Sequence, residues 1–281
     1  MGFLVPILAA AAAYGVVYFN PAQNAPLAFG IWGVAGLAAL WLGRSSGRWA
    51  LMTLVLAAVA LGVGVAGIRT GQLPTFAALG LGIGGGVVIR SLALLAGLSA
   101  LFAGRDKLAA GVTVLAAAAL LVVPVQYILK SRTVPPIHDI TTNTDDPPAF
   151  VAIVKLREGA PNKPDYAGAE TAELQKKAYP DLAPVTMALS PEAAFDKALT
   201  AAQAMPDWQI VEEVKAEGRI EATATTAIMG FKDDIVIRVR AAPDGSGSTI
   251  DIRSKSRVGR SDMGANAERI RAYVAKLKTS A

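Results

Sequence analysis

The sequence predicts an N-terminal α-helical transmembrane bundle followed by a C-terminal two-layer α+β domain: helix, four-stranded antiparallel sheet, helix. Three observations carry this expectation. Residues 1–130 are dominated by long apolar runs, composition shifts sharply at Ser131, and beyond Ser190 the hydrophobic spacing passes from helical to alternating and back. Charge divides at the same place. Of the formal net charge of +5, residues 1–130 carry seven basic and one acidic side chain, and the remainder carries the rest, for a sum of −1. A basic excess confined to apolar sequence reads as topology and argues against a nucleic-acid partner. With no Cys and one His among 281 residues, disulfides, thiolate catalysis and a histidine-rich metal site are disfavoured, and no cofactor is indicated.

Taken in order, about five spans are expected: Phe3–Phe19, Pro26–Gly43, Trp49–Ile68, about Thr75 to Ala103, and Leu108–Ile128. Each approaches the roughly 20 apolar residues that a bilayer requires. Arg44 and Arg48 in one link, and Arg105 and Lys107 in another, place the N-terminus in the cytoplasm and the C-terminal domain across the membrane. Arg90 interrupts the fourth span. It is an intramembrane functional candidate, or else it snorkels at a break near Gly84–Gly86.

Residues 131–189 read as a proline-rich strap and irregular linker, with Pro135-Pro136 and Pro147-Pro148 forcing extended backbone. The α+β domain occupies 190–281. Ser190-Pro191-Glu192 signals a helix start, and Phe195, Ala198, Leu199, Ala202 and Met205 form its stripe. Strands follow at about 208–215, 219–227, 234–241 and 248–256, the last two joined by Pro243-Asp244-Gly245-Ser246-Gly247. A final helix, about 265–278, presents Asn266, Ile270, Tyr273, Val274 and Leu277 on one face.

The chemistry-bearing segment is 251–271. Alternation turns Ser254 and Ser256 towards the core, where hydroxyls need partners. If Ala241 lies opposite Ser248, Asp234 falls near Lys255 and Asp233 near Ser256. Asp233, Asp234, Ser254, Ser256, Arg257, Arg260, Ser261, Asp262, Asn266 and Arg269 then converge near the start of the last helix. Two readings stand. Arg257, Arg260 and helix-start N–H groups hold an anion such as a lipid headgroup, or Arg257 pairs with Asp233 or Asp234 while Asp262 or Asn266 caps the helix. His138 and Asp139 in the strap could join a serine as a hydrolase triad, yet no nucleophile elbow or oxyanion motif accompanies them. Asp139, Asp145 and Asp146 lack the spacing of a calcium loop, so no metal site is assigned.

Three segments carry a family resemblance: Pro-Pro-Ile-His-Asp-Ile-Thr-Thr at 135–142, Phe-Lys-Asp-Asp-Ile-Val-Ile-Arg-Val at 231–239, and the run from Arg253 to Arg271. In them the chain resembles the domain-of-unknown-function 1499 proteins. Asn143 departs from the family's usual aspartate. The resemblance implies a bacterial inner-membrane protein with an exported, periplasmic domain, and carries over no catalytic residue. The expected function is a non-catalytic binding or scaffolding domain. Its expected partners are the lipid bilayer, a lipid or other anionic ligand, and a membrane-complex subunit. The alternative is an envelope enzyme using Ser, Asp and Arg groups at the last hairpin's end.

Overall fold

The computed structural model describes residues 65–66, 69, 86–104 and 106–279. The chain divides into two units, 1–128 and 129–281. In the first, helix α1 (Gly86–Phe102) and the greater part of helix α2 (Lys107–Ser131) are described. They meet through small side chains. Ala93 and Ala117 are buried with Leu94 and Ala116 against them, and a Cβ on Gly97 would stand 2.9 Å from Val114 Cγ2.

The expected transmembrane bundle is corrected here. Among the described residues no helix is long and apolar enough to cross a membrane. The fourth expected span falls in α1 from Gly86 on, and its part before residue 86 lies outside the described residues. The fifth lies in α2, between Lys107 near its start and Lys130 near its end. The first two expected spans, and the third apart from residues 65 and 66, lie outside the described residues. The multi-pass inner-membrane placement, with a cytoplasmic N-terminus and a periplasmic C-terminal domain, falls with the bundle. Arg90, the intramembrane candidate, lies in α1.

The second unit is an antiparallel sheet with helices. Its elements are β1 (Asp139–Thr141), α3 (Ile153–Leu156), α4 (Ala169–Ala178), β2 (Val185–Met187), α5 (Pro191–Gln203), β3 (Trp208–Val214), β4 (Arg219–Thr225), β5 (Lys232–Ala241), β6 (Ser248–Ser256) and α6 (Ala265–Thr279). The sheet order is β1-β6-β5-β4-β3, with β2 also on β6, so six strands replace the expected four. The two additions are three-residue strands in the proline-rich region, too short to show a period. The β5–β6 register does set Ala241 opposite Ser248, as the hairpin argument predicts.

One sheet face carries the core. Ile220, Ala222, Ile235, Ile237, Val239, Ile250 and Ile252 are buried with Phe195 and Ala198 of α5 and with Ile270, Tyr273 and Leu277 of α6. The Ser190 hydroxyl accepts from Ala193 N and Pro191 sits at the first position, so α5 begins where the sequence signals. Its alanine face admits Tyr273, whose hydroxyl donates to Ala198 O at 3.0 Å and whose ring stacks on Trp208 at 5.2 Å. Burial raises the Tyr273 phenol well above its usual range.

Gly218, at φ 63°, makes the turn into β4, and a Cβ there would lie 2.1 Å from Val239 O. Left-handed strain combined with a backbone clash makes Gly218→Ala costly. It is expected to lower the unfolding free energy by about 3 kcal/mol or more, read by urea denaturation. A loss below about 1 kcal/mol would show that the turn relaxes freely.

Candidate functional site

Two polar clusters are built on opposite faces of one end of the sheet. Towards the core, β6 presents Ser254 and Ser256, both buried. The Ser254 hydroxyl donates to Asn266 Oδ1 at 2.6 Å and accepts from Arg269 Nη1 at 3.1 Å. Asn266 Nδ2 donates to Ser256 Oγ at 3.0 Å and to His138 O at 3.1 Å. Arg269 also binds Asn266 Oδ1, and its Nη2 reaches Asp233 Oδ2 at 2.6 Å. Each buried hydroxyl therefore has the partner that its desolvation requires.

The opposite face is ordered by strand register. Asp139 of β1, Lys255 of β6, Asp234 of β5 and Thr223 of β4 are successive partners across the sheet. Asp139 receives Arg253 Nε and Nη2 at 2.8 and 2.9 Å, Lys255 Nζ at 3.0 Å and the Ala167 amide at 3.1 Å. Asp234 receives Arg157 Nη1 at 2.7 Å, Arg257 Nε and Nη2 at 2.8 and 2.7 Å, and Thr223 Oγ1 at 2.8 Å. Side-chain exposure is 0% for Asp139, Asp234 and Arg157, 2% for Arg253, 4% for Lys255 and 14% for Arg257. Burial pulls the Lys255 ammonium below its ordinary pKa, opposed by the Asp139 carboxylate and reinforced by neighbouring Arg253 and Arg157.

The segment 143–166 covers this face. Phe150 and Ile153 pack on Val236, and the Phe150 ring lies 4.7 Å from the Arg253 guanidinium carbon and 5.7 Å from that of Arg157. Carbonyls of the segment accept further donors: Pro148 and Pro164 from Arg253, Asn162 from Arg157, Asp165 from Lys255. Glu221, also buried, accepts the Val151, Ala152 and Ile153 amides at the start of α3 and pairs with Arg219 at 2.6 Å.

The structure thus joins Asp233, Ser254, Ser256, Asn266 and Arg269 in one cluster, and Asp234 with Arg257 in the other. Amides at the start of α6 are engaged within the chain. Asp262 accepts from Gly264 and Asn266, and Ser261 Oγ accepts from Met263. Burial raises the Asp262 carboxyl above its usual pKa against these backbone bonds. Arg260 is exposed and contributes its carbonyl, 3.4 Å from His138 Nδ1. Asp139 belongs to Arg253 and Lys255 rather than to a triad with His138. Nothing is described of the Arg90 side chain. Among the described residues no three His, Asp or Glu gather as metal ligands.

Arg157 and Arg253, with Phe150 and Tyr166 around them, were not singled out by the sequence argument, and Lys255 entered it only as the residue near Asp234. Arg253 and Lys255 alternate with Ser254 and Ser256, so the strand period that sent the serines inward already sent these cations to the other face. Arg157 gave no such signal, because it follows a four-residue helix in aperiodic sequence.

His138 yields a pH prediction. Desolvation lowers its pKa from 6.5, reinforced by Lys255 and opposed by the Arg260 carbonyl, Asp139 and Asp262. The unfolded chain therefore takes up this proton first as pH falls. The stability tied to the neutral ring is present above about pH 6.5 and lost as pH falls through the lowered folded value. As His138 is the chain's one histidine, His138→Gln is expected to flatten the pH dependence of unfolding just below about pH 6.5. An imidazole resonance titrating at 6.5 or above in the folded chain would contradict this.

Residues 139–277 match the model of the family described as "Protein of unknown function (DUF1499)", and the chain belongs to that family. No curated protein and no solved structure matches it.

Proposed function

We propose that this DUF1499 member is a non-catalytic binding or scaffolding module, with residues 134–279 as its working part. The observation that carries the reading is the engagement of the groups an enzyme would need free. A serine nucleophile requires an accessible oxygen and a base within hydrogen-bond reach. Ser254 and Ser256 are buried, and the groups touching their oxygens are an amide and a guanidinium, neither of which is basic enough to deprotonate a serine. Asp233 and Asp234 are held in ion pairs with Arg269, Arg157 and Arg257.

The test combines chemical labelling with native mass spectrometry of the intact chain. A serine-reactive fluorophosphonate is expected to leave Ser254, Ser256 and Ser261 unmodified, while the native protein retains a bound molecule or partner. Labelling at any of the three serines overturns the reading.

A further inference from the structure

The cluster beneath segment 143–166 does not balance. Four cations, Arg157, Arg253, Lys255 and Arg257, share two carboxylates, Asp139 and Asp234. The adjoining clusters on this face do not offset the surplus. Arg238 and Arg240 are matched by Asp146 and Asp251, and buried Glu221 is matched by Arg219. Glu212 and Glu217, also on Arg219, have side chains 42% and 58% exposed, where water screens much of their charge. Uncompensated buried charge is expensive, so a surplus of this kind marks a missing partner.

Hydrogen bonding shows the same deficit. Among the buried donors of the described residues that lack an acceptor are Arg157 Nε and the Tyr166 hydroxyl. The Tyr166 ring lies 5.4 Å from the Arg253 guanidinium carbon, which puts the phenol at the cluster. Burial and the nearby Asp139 carboxylate push this phenol up to about 12, so it remains a donor at neutral pH. The site is short of two negative charges and has two donors without acceptors, and one kind of ligand supplies both.

We propose that the face formed by Arg157, Arg253, Lys255, Arg257 and Tyr166 binds a doubly charged oxyanion, a phosphate monoester or a small dicarboxylate. The carbonyls of Pro148, Pro164 and Asp165 occupy the cations meanwhile and yield to the ligand, while Arg157 and Tyr166 of the same segment contribute donors to it. Neutral carbonyls are weaker partners for a guanidinium than anionic oxygens, which gives the exchange its direction. This rests on the binding-module reading and assigns it a ligand class.

The experiment uses the full-length chain with inorganic phosphate and malonate, each against chloride at matched ionic strength. Thermal midpoint and calorimetric titration are recorded. At least one dianion is expected to raise the midpoint saturably where chloride does not, and which of the two acts identifies the source chemistry. Tyr166→Phe removes only an unpartnered hydroxyl, so it folds. It is expected to weaken dianion binding roughly tenfold, the loss of one hydrogen bond to a charged group. The absence of a saturable response to either dianion, or unchanged affinity in Tyr166→Phe, overturns the assignment. If native mass spectrometry meanwhile finds an uncharged ligand, the module reading survives and the oxyanion alone is lost. Labelled serines would overturn the module itself.

Discussion

Asp139→Ala is expected to remove 3–5 kcal/mol from the stability of the C-terminal unit, the cost of stripping the partner from a buried ion pair. Asp139 is enclosed, and it is the carboxylate shared by Arg253 and Lys255. Without it, two buried cations face only carbonyls and aromatic rings, and the Ala167 amide loses its acceptor as well. Domains are stable by about 5–15 kcal/mol, so much of the reserve disappears. Asp139→Asn preserves shape and part of the hydrogen bonding, and should fall between wild type and alanine. Arg253→Met leaves the carboxylate paired with Lys255 and should cost less than Asp139→Ala. Urea denaturation followed by far-ultraviolet circular dichroism orders the three variants. A loss under about 1 kcal/mol for Asp139→Ala would mean that water reaches this cluster and screens it, as at a surface pair.

The second large effect is an asymmetry around Asp234. Because cations outnumber carboxylates beneath segment 143–166, deleting an anion should harm the fold more than deleting a cation. Asp234→Asn, which strands Arg157 and Arg257, is expected to cost at least about 3 kcal/mol, and Arg257→Gln less, since Arg157 continues to neutralise the acid. Combining the two should cost less than the sum of the singles by about 0.5–3 kcal/mol, the range for residues within one network. Additive losses, or a larger penalty for Arg257→Gln, would place the charge deficit elsewhere.

Legibility in the sequence followed period and length. The long strands β5 and β6 and the helices α5 and α6 were readable because each repeats its pattern several times over, and the β5–β6 register came with the Pro243–Gly247 connection. That register brought Asp234 to Lys255 and Asp233 to Ser256. The short strands β1 and β2 were hidden. Three residues cannot display alternation, and their pairing with β6 joins segments more than 60 residues apart in sequence. Arg157 was hidden for the same reason, since its side chain is placed by tertiary packing against β5 and β6 rather than by a local period. The membrane bundle was misjudged on composition. Apolar content suggested five spans, but among the described residues no helix is both long and apolar enough to cross a bilayer.

The placement of β1 and β2 on β6 also bears on how the chain behaves in crowded solution. The outer rim of β6 is stitched over at both ends, and between them the Thr142 amide and hydroxyl bond Ile252, leaving little backbone there to recruit a stranger. The opposite rim belongs to β3, where an irregularity between Ile210 and Glu212 breaks the ladder and Glu212 and Glu213 add negative charge. A kinked, like-charged border is a poor template for strand addition. The sheet is guarded against fibril-like self-association by cover on one side and by repulsion on the other, without either border being closed into a barrel.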